Sequence, residues 1–328
     1  MVSAISSASR RRVFALAMSP LILPRIAHAQ ASFPDRPMRF IISWPPSNLD
    51  VLHRSIFEVA RRELGQPVVL ENRPGARGTL GAQALMQARP DGYTLAHQHL
   101  SVIRHPFLTR QPTWDPVTDF TYIIQLCGFV YGTVVRADSP YQTWGDLIAA
   151  ARARPATLTY ATSGVATAQH ILMEELLARE GVQMVHVPFR GGPEGVTALL
   201  GRQVDCMSDA SSWRPNVEAG EFRLLSIWTP ERMALFPQSP TLRELGYGVS
   251  LTSPYGIVGP KGMDPGIVRM LHDAFRKGLF DDTTQGLIRR WETPVEYLGP
   301  ADYLSFVRER TVYEREMVAR LGLSIDGS

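Results

Sequence analysis

The sequence has few cysteines, no long apolar run beyond its N-terminus and little net charge. Cys127 and Cys206 are the only cysteines in 328 residues, which excludes a disulfide-rich scaffold. Both lie in apolar contexts, so we expect two buried free thiols, with a bridge between them as the alternative. Past residue 29, no apolar run approaches the roughly 20 residues that a membrane-spanning helix needs.

The positive charge of the chain is concentrated at its N-terminus. The whole sequence carries 34 basic and 31 acidic residues, a net charge of +3. Residues 1–29 hold four arginines and no acidic residue, so the remainder has 30 basic against 31 acidic residues, a net charge of −1. A balance this close to zero gives no basis for binding nucleic acid, and we expect no nucleic-acid partner.

Residues 1–29 have the three regions of an export signal. A basic start at 10–12 precedes an apolar stretch of 11 residues at 13–23, and Ala-His-Ala at 27–29 has the small-x-small pattern of a cleavage site. We predict cleavage after Ala29 and a periplasmic protein. The paired arginines also resemble a twin-arginine signal, so the export route stays open. A disordered basic tail is the alternative to a signal.

Apolar runs that are typical of strands alternate with amphipathic segments through the rest of the chain. The strand-like runs lie at 38–43, 68–70, 93–96, 158–161, 184–187, 204–207 and 224–227. Asp50 is a plausible N-cap for the first helix, and Thr143 with Asp146 has the spacing of a capping box. The alternation predicts an α/β fold with parallel sheets covered on both faces.

Three polar loops follow predicted strands and lead into predicted helices. They lie at residues 45–50, 162–167 and 189–194. In α/β sheets, ligands bind at the carboxyl ends of the strands, and the N–H groups at a helix start attract anions. These loops are therefore the predicted ligand site.

The motifs of common enzyme classes are missing from the sequence. There is no Gly-x-Ser-x-Gly elbow, no His-Glu-x-x-His motif and no phosphate loop ending in Lys-Ser/Thr. We therefore expect a binding protein with no catalytic residues and no cofactor. A hydrolase of the same compartment is the enzymatic alternative, and it would have to show turnover of a bound ligand.

Eight short motifs occur in a fixed order along the chain. They are Phe-Pro-Asp-Arg-Pro at 33–37, Leu-Gly-Gln-Pro-Val-Val at 64–69, Glu-Asn-Arg-Pro-Gly-Ala at 71–76, Pro-Asp-Gly-Tyr-Thr at 90–94, Trp-Asp-Pro-Val-Thr-Asp-Phe at 114–120, Tyr-Ala-Thr-Ser-Gly at 160–164, Val-Pro-Phe-Arg-Gly-Gly at 187–192 and Gly-Arg-Gln-Val-Asp at 201–205. The ordered series resembles the substrate-binding receptors of tripartite tricarboxylate transporters, the Bug-type periplasmic solute-binding proteins. The resemblance covers about residues 33–323.

The resemblance implies a type II periplasmic binding protein architecture, with two Rossmann-like α/β domains and a ligand cleft between them. Domain 1 would comprise residues 30–133 and 255–328, and domain 2 residues 134–254. The resemblance also implies a small mono-, di- or tricarboxylate ligand and membrane permease subunits as partners. We further expect a monomer. An orphan receptor that serves a signalling system is the alternative function.

The chain departs from the family pattern at two positions in the predicted cleft. The family's first loop is usually Pro-Pro-Gly-Gly-x-x-Asp, but this chain has Ser47 and Asn48 in place of the two glycines. After the strand at 93–96 the family has small hydroxyl residues, whereas this chain has His97 and His99. These departures predict either an atypical ligand or degraded binding.

Several side chains of the polar loops are candidates for contact with an anion. Ser47 and Asn48 could donate hydrogen bonds to a carboxylate, with ordinary turn chemistry as the alternative. Thr162, Ser163 and Thr167 could bind a second carboxylate oxygen or a bridging water, and helix capping is their alternative.

Four further residues are candidates for contact with the ligand. Arg190 could clamp a carboxylate with two donors, with a solvated surface arginine as the alternative, and Gly191 follows it in the same loop. Asp209 follows the strand-like run at 204–207 and matches the family's aspartate at that place. It could orient a ligand hydroxyl or amine, or cap the next turn. Asp50 ends the first polar loop.

His97 and His99 lie two residues apart, so a strand would direct both side chains to the same face. We predict that they form a polar wall of the cleft. Together with His105 they could instead bind a metal ion, but no cysteine or glutamate joins them at ligand spacing. We therefore predict no metal site.

Overall fold

The structure is a computed structural model that describes Met1 and residues 33–325. Apart from Met1, the predicted signal lies outside the described residues, and it stays a prediction. The strands are β1 (Met38–Ile42), β2 (Val68–Asn72), β3 (Thr94–His99), β4 (Phe120–Arg136), β5 (Thr159–Thr162), β6 (Val185–Pro188), β7 (Cys206–Ala210), β8 (Phe222–Ile227), β9 (Thr252–Pro260) and β10 (Val295–Leu298).

The helices of the described residues lie between and after these strands. They are α1 (Asn48–Leu64), α2 (Leu80–Leu85), α3 (Leu100–Arg104), α4 (Trp144–Ala153), α5 (Ala168–Glu180), α6 (Gly192–Leu200), α7 (Arg214–Glu218), α8 (Pro265–Leu279), α9 (Asp282–Trp291) and α10 (Pro300–Leu321). Within residues 33–325, no helix combines the length and the apolar character that a membrane crossing requires.

The strands form one continuous sheet with a parallel unit at each end. The main strand order is β2-β1-β3-β9-β4-β7-β5-β6, and β8 and β10 also pair with β4. β1 lies parallel to β2 and β3, and β5 lies parallel to β6 and β7. Each end is therefore built from parallel strands, which need crossover connections that are usually helical.

Strand β4 belongs to both halves of the sheet. Its residues 120–130 pair with β9, whereas residues 131–136 pair with β7 and β8. We call the half with β1, β2, β3 and β9 the first lobe, and the half with β5 to β8 the second lobe. The predicted α/β architecture of two Rossmann-like lobes is confirmed. The predicted boundary between residues 133 and 134 falls inside this shared strand, and the domain boundaries stay a prediction.

The prediction of wholly parallel sheets is wrong at the centre. β9 runs antiparallel to both β3 and β4, and β4 runs antiparallel to β7 and β8. β4 leaves the first lobe and β9 returns to it, so the two strands cross between the lobes in opposite directions. A pattern of apolar runs reports that strands exist but not their direction.

The starts of α1 and α4 follow from local sequence. Ser47 caps α1, because its hydroxyl accepts a hydrogen bond from the Leu49 N–H at 3.3 Å while the Asp50 carboxylate accepts one from the Ser47 N–H at 2.9 Å. This is a capping box, so the prediction that Asp50 is the N-cap is wrong: Asp50 is the third residue of the helix. The capping box predicted at Thr143 and Asp146 is confirmed.

Each lobe has an apolar core between its sheet and its helices. Phe40 and Phe275 are fully buried in the first lobe, where β1 faces α1 and α8. Tyr160 and Trp228 are fully buried in the second lobe. Burial of one such large side chain stabilises the fold by about 1.5–3 kcal/mol.

The two cysteines lie in different cores. Cys127 is in the core of the first lobe and Cys206 in that of the second, and both are buried free thiols. The prediction of free thiols is therefore confirmed. Burial raises the pKa of Cys127 to about 12 and that of Cys206 further, so neither thiol is reactive at neutral pH.

A buried ion pair connects α3, α10 and the second lobe. The Arg104 guanidinium donates to the Glu314 carboxylate at 2.5 Å and to the Ala166 carbonyl at 2.7 Å. Arg104 and Glu314 are 1% and 0% exposed. Arg310 also donates to Glu314, at 2.7 Å, from a more exposed position. Because Ala166 follows β5, Arg104 ties the first lobe to the second.

We expect Arg104→Met to lower the free energy of unfolding by about 3–5 kcal/mol, because it removes the most buried partner of Glu314. Arg310→Met is the matched control, since it removes the other partner of the same carboxylate from a less buried site, and it should cost about 1 kcal/mol. Urea unfolding of both variants measures the difference. Equal costs would show that burial does not set the value of this ion pair.

Candidate ligand-binding site

Two connected cavities lie between the lobes, at the carboxyl ends of the parallel strands. The larger, which we call the outer chamber, has a volume of about 340 Å³, and the smaller, the inner chamber, about 90 Å³. The residues that line both are Ser47, Leu49, Phe129, Pro193, Ala210 and Ser212. Because these walls are shared, the two chambers form one cleft.

Loops from both lobes line the inner chamber. The first lobe contributes Pro45 and Ser47 from the loop after β1, and His99 from the end of β3. The second lobe contributes the end of β7, the loops after β5, β6 and β7 and the starts of α5 and α6, with the residues Ser163, Thr167, Gln169, Gly191, Gly192, Asp209 and Ser212. Neighbouring parallel strands end at the same edge of a sheet, which is why loops far apart in sequence meet here.

Asp209 is the centre of a buried hydrogen-bond network in the inner chamber. One of its carboxylate oxygens accepts from the Ser163 hydroxyl and from the Gln169 amide, the latter at 2.9 Å. The other accepts from the Ser212 hydroxyl at 2.5 Å. Burial raises the pKa of Asp209, whereas these three donors favour its ionised form. The protons of Ser163 and Ser212 are therefore directed at Asp209.

Helices α5 and α6 begin at the inner chamber without a side-chain cap. Thr167 and Gly191 are their N-caps, and neither makes the capping hydrogen bond that Ser47 makes at α1. The Thr167 hydroxyl donates instead to the Gly164 carbonyl at 2.8 Å. The starts of α5 and α6, with the positive ends of two helix dipoles, are therefore at the chamber wall, where they suit a carboxylate.

The outer chamber has mostly apolar walls. Its apolar lining residues are Leu49, Leu52, Phe129, Val130, Pro193, Val196, Ala210, Pro215, Tyr255 and Trp291. The ring centroids of Phe129 and Tyr255 are 4.7 Å apart, and the Tyr255 hydroxyl contacts the Cys127 thiol. Asn48, Ser211 and Thr293 are polar residues on its walls. Apolar walls with a few polar groups are typical of a small-molecule site.

Arg214 is the one lysine or arginine among the residues that line the two chambers. It is 6% exposed. Its guanidinium donates to the Glu218 carboxylate at 2.8 Å and to the carbonyls of Trp291 and Arg290 at 2.9 and 3.0 Å. These carbonyls end α9, which packs on α1 in the first lobe. Arg214 therefore has a counter-ion in its own helix and ties the second lobe to the first.

Seven of the eleven predicted ligand-binding residues line the cleft. They are Ser47, Asn48, His99, Ser163, Thr167, Gly191 and Asp209. They come from both lobes, as predicted from the position of the polar loops. Contact of these residues with a ligand stays a prediction.

The other four predicted residues lie outside the two chambers. Thr162 is buried and bonds to the His186 ring at 2.7 Å, and Asp50 is part of the capping box. His97 is buried behind the chamber wall. Arg190 is exposed beside an adjacent groove that shares Ser163 with the inner chamber, and its N–H donates to the Glu194 carboxylate at 3.0 Å. The structure therefore does not bring Arg190 to the cleft as the predicted counter-ion.

Three histidines form a buried row that starts with His99 at the wall of the inner chamber and continues behind it. The ring centroids of His53 and His97 are 5.6 Å apart, and those of His97 and His99 are 5.2 Å apart. Burial lowers the pKa of His53 and of His99 to about 4, and that of His97 is lowered well below its usual 6.5. At neutral pH the row is uncharged and packs against aromatic rings such as Phe40 and Tyr255.

The alternative of a metal ion at His97, His99 and His105 has no support in the geometry. His105 stacks on Trp114, with ring centroids 4.8 Å apart. Among residues 33–325, no three histidine, cysteine, aspartate or glutamate side chains lie close enough to hold a metal ion.

Several residues of the cleft are not among those predicted from the sequence. Ser212 lies three residues after Asp209, and that short polar spacing was an available signal. Gln169 enters the network because α5 starts at the chamber, which its sequence alone does not reveal. Phe129 and Tyr255 come from the crossing strands β4 and β9, and their wall exists only because the strands pair.

The chain matches the family described as "Tripartite tricarboxylate transporter family receptor" over residues 52–323. It belongs to this family. The receptor is also 44% identical over 300 residues to the "UPF0065 protein in gbd 5'region" of Cupriavidus necator, which covers 91% of each chain. The resemblance seen in the ordered motifs is therefore confirmed.

Solved structures share the fold of this receptor. The periplasmic binding protein BugD is 26% identical, with a TM-score of 0.83 over 89% of this chain and 99% of that one. MatC from Rhodopseudomonas palustris with bound malate is 26% identical, with a TM-score of 0.80 over 87% and 100% of the two chains. Rpa4515 of R. palustris with adipate is 26% identical, with a TM-score of 0.82 over 89% and 99%.

The buried histidines predict that this receptor loses stability in mild acid. A histidine with a folded pKa of about 4, against 6.5 when exposed, binds its proton in the unfolded chain first. The stability it contributes at neutral pH is therefore lost as pH falls from about 6.5 to about 4, at up to about 1.4 kcal/mol per pH unit. His53→Phe should flatten this decline by on the order of 1 kcal/mol per pH unit.

The measurement is the free energy of unfolding in urea, taken at intervals between pH 4 and pH 7 for both proteins. Carboxylates also titrate in this range, so the difference between the two slopes carries the test. Identical slopes would mean that the folded protein protonates His53 as readily as the unfolded chain does.

Proposed function

We propose that this chain is a periplasmic receptor that captures a small organic carboxylate between its two lobes and delivers it to the membrane subunits of a tripartite transporter. The observation that carries the proposal is the inner chamber. It is a small cavity between the lobes with several polar side chains on its wall, and the uncapped N-termini of α5 and α6 supply backbone N–H donors there. Such donors and the helix dipoles favour an anion.

The relatives support a carboxylate as the ligand. MatC was solved with malate and Rpa4515 with adipate, and both share the two-lobed fold. Membership of the receptor family supports the transport role. The signal predicted at residues 1–29 and the name of BugD as a periplasmic binding protein support the periplasm as the location.

The side chains of the inner chamber favour binding over catalysis. Ser163 bonds directly to the Asp209 carboxylate, and Gln169 holds both groups. An activated serine usually needs a general base such as histidine within hydrogen-bond reach. Here Asp209 is held by three donors, an arrangement that fixes the shape of a wall. We therefore propose that the ligand is not chemically altered while it is bound, and that it is released in the form in which it entered.

Because the cleft lies between the lobes, we propose that the ligand is captured and released when the lobes move relative to each other. Ligand contacts to both lobes would stabilise a closed form, because only that form brings both sets of loops to the ligand. The crossing strands β4 and β9 are the connections that would bend. The contacts of Arg104 with Ala166 and of Arg214 with the end of α9 would stabilise the closed form in the absence of ligand.

The proposal predicts that carboxylates raise the melting temperature of the chain from Gln30 onward. A ligand that binds only the folded state adds about 2.7 kcal/mol when present at about 100 times its Kd. Gly192→Ala should abolish the rise, because a Cβ at this position would meet the Asp209 carboxylate and the Ser212 hydroxyl inside the inner chamber.

Gly286→Ala is the matched control, since a Cβ there meets no atom within 4 Å. It should keep both the fold and the ligand response. A thermal-shift panel of aliphatic and aromatic carboxylates, amino acids and sugars makes the measurement for all three proteins. If no carboxylate raises the melting temperature, or if Gly192→Ala shows the same rise as the unmodified protein, the proposal is contradicted.

A further inference from the structure

The outer chamber determines what the body of the ligand can be. A carboxylate held in the inner chamber, of about 90 Å³, leaves the rest of the molecule in the outer chamber, of about 340 Å³. The chambers share the apolar residues Leu49, Phe129, Pro193 and Ala210 and the polar residues Ser47 and Ser212, so the passage between them is mostly apolar. The ligand body must therefore cross a mostly apolar passage into a largely apolar space.

The walls of the outer chamber favour binding of a hydrocarbon group. Leu52, Val130 and Tyr255 are 2%, 5% and 2% exposed and line the chamber. Phe129 and Trp291, which are far apart in the sequence, add aromatic surface to the chamber. Each methylene that a ligand buries against such walls tightens binding by about fourfold.

The same walls disfavour binding of a ligand that carries a second carboxylate. Among the residues that line the two chambers, Arg214 is the one side chain with a permanent positive charge. Its guanidinium already pairs with Glu218 and donates to two backbone carbonyls at the end of α9. A charge that is already balanced attracts a further anion weakly, and a desolvated carboxylate without a counter-ion is costly.

We infer that the ligand of this receptor is a monocarboxylate with an apolar body, an unbranched, branched or aromatic hydrocarbon, rather than a dicarboxylate. The inference rests on the proposed function and narrows it. The carboxylate occupies the inner chamber at the starts of α5 and α6, and the hydrocarbon fills the outer chamber. This chain thereby differs from MatC and Rpa4515, which were solved with malate and adipate.

Hexanoate and adipate test the inference, because they have the same number of carbon atoms and differ at one end. Isothermal titration of the chain from Gln30 onward should give a Kd for hexanoate at least tenfold lower than that for adipate. Butyrate should bind more weakly than hexanoate by roughly fifteenfold, the effect of two buried methylenes.

The outcomes separate this inference from the proposed function. Adipate binding as tightly as hexanoate, or more tightly, overturns the monocarboxylate inference and leaves the carboxylate receptor standing. Failure of butyrate, hexanoate, adipate, malate and benzoate alike overturns both.

A cation placed in the outer chamber should reverse the expected preference for hexanoate over adipate. Val196 is half-buried on α6 and lines this chamber, so Val196→Lys puts an ammonium group among the apolar walls. We expect adipate to gain at least tenfold in affinity and hexanoate to lose affinity. Val196→Met is the matched control, since it adds a long side chain without charge, and it should leave adipate the weaker ligand. Unchanged adipate affinity in the folded Val196→Lys protein would show that charge in this chamber does not set the selectivity.

Discussion

Strand β4 is the element on which the rest of the structure depends. It runs for 17 residues and pairs with strands of both lobes. Because its backbone hydrogen bonds continue from one half of the sheet into the other, the strand joins the two lobes directly, and a movement of one lobe against the other has to bend it. The parallel units at the two ends are therefore held with their carboxyl edges towards a common cleft. The inner chamber, the uncapped helix starts and the aromatic wall all follow from that arrangement.

The cleft that we propose as the anion site carries one lysine or arginine on its walls, Arg214, and that residue is paired. Asp209 is surrounded by three donors, Arg214 is balanced by Glu218, and burial lowers the pKa of His99 so that its ring is neutral at pH 7. Buried charges are stable only when they are paired or hydrogen-bonded. In the proposed site, the fixed backbone dipoles at the starts of α5 and α6 attract the anion. A receptor that has to release its ligand benefits from such moderate attraction.

Local sequence predicted the elements of this fold better than their arrangement. The capping boxes at Ser47 and Thr143 depend on residues three positions apart, so both could be read from the chain, although Asp50 was assigned the wrong position in the first. The loops after β1, β5 and β6 were found because polar residues follow apolar runs. The loop position of Arg190 predicts a place in the cleft, but Arg190 is exposed and does not line either chamber. The direction of a side chain in a loop depends on backbone angles that residue types do not determine.

By itself the sequence determined the alternation of strands and helices, the buried thiols, the family and most of the loops that line the cleft. These features depend on neighbouring residues or on motifs of a few residues. Only the tertiary structure decided that β4 and β9 cross antiparallel between the lobes, that Arg104 and Arg214 tie the lobes together, and that Gln169 and Ser212 join Asp209. Each of these contacts requires segments that are distant in the chain to meet, and their meeting depends on the free energy of the whole packed core rather than on any local pattern.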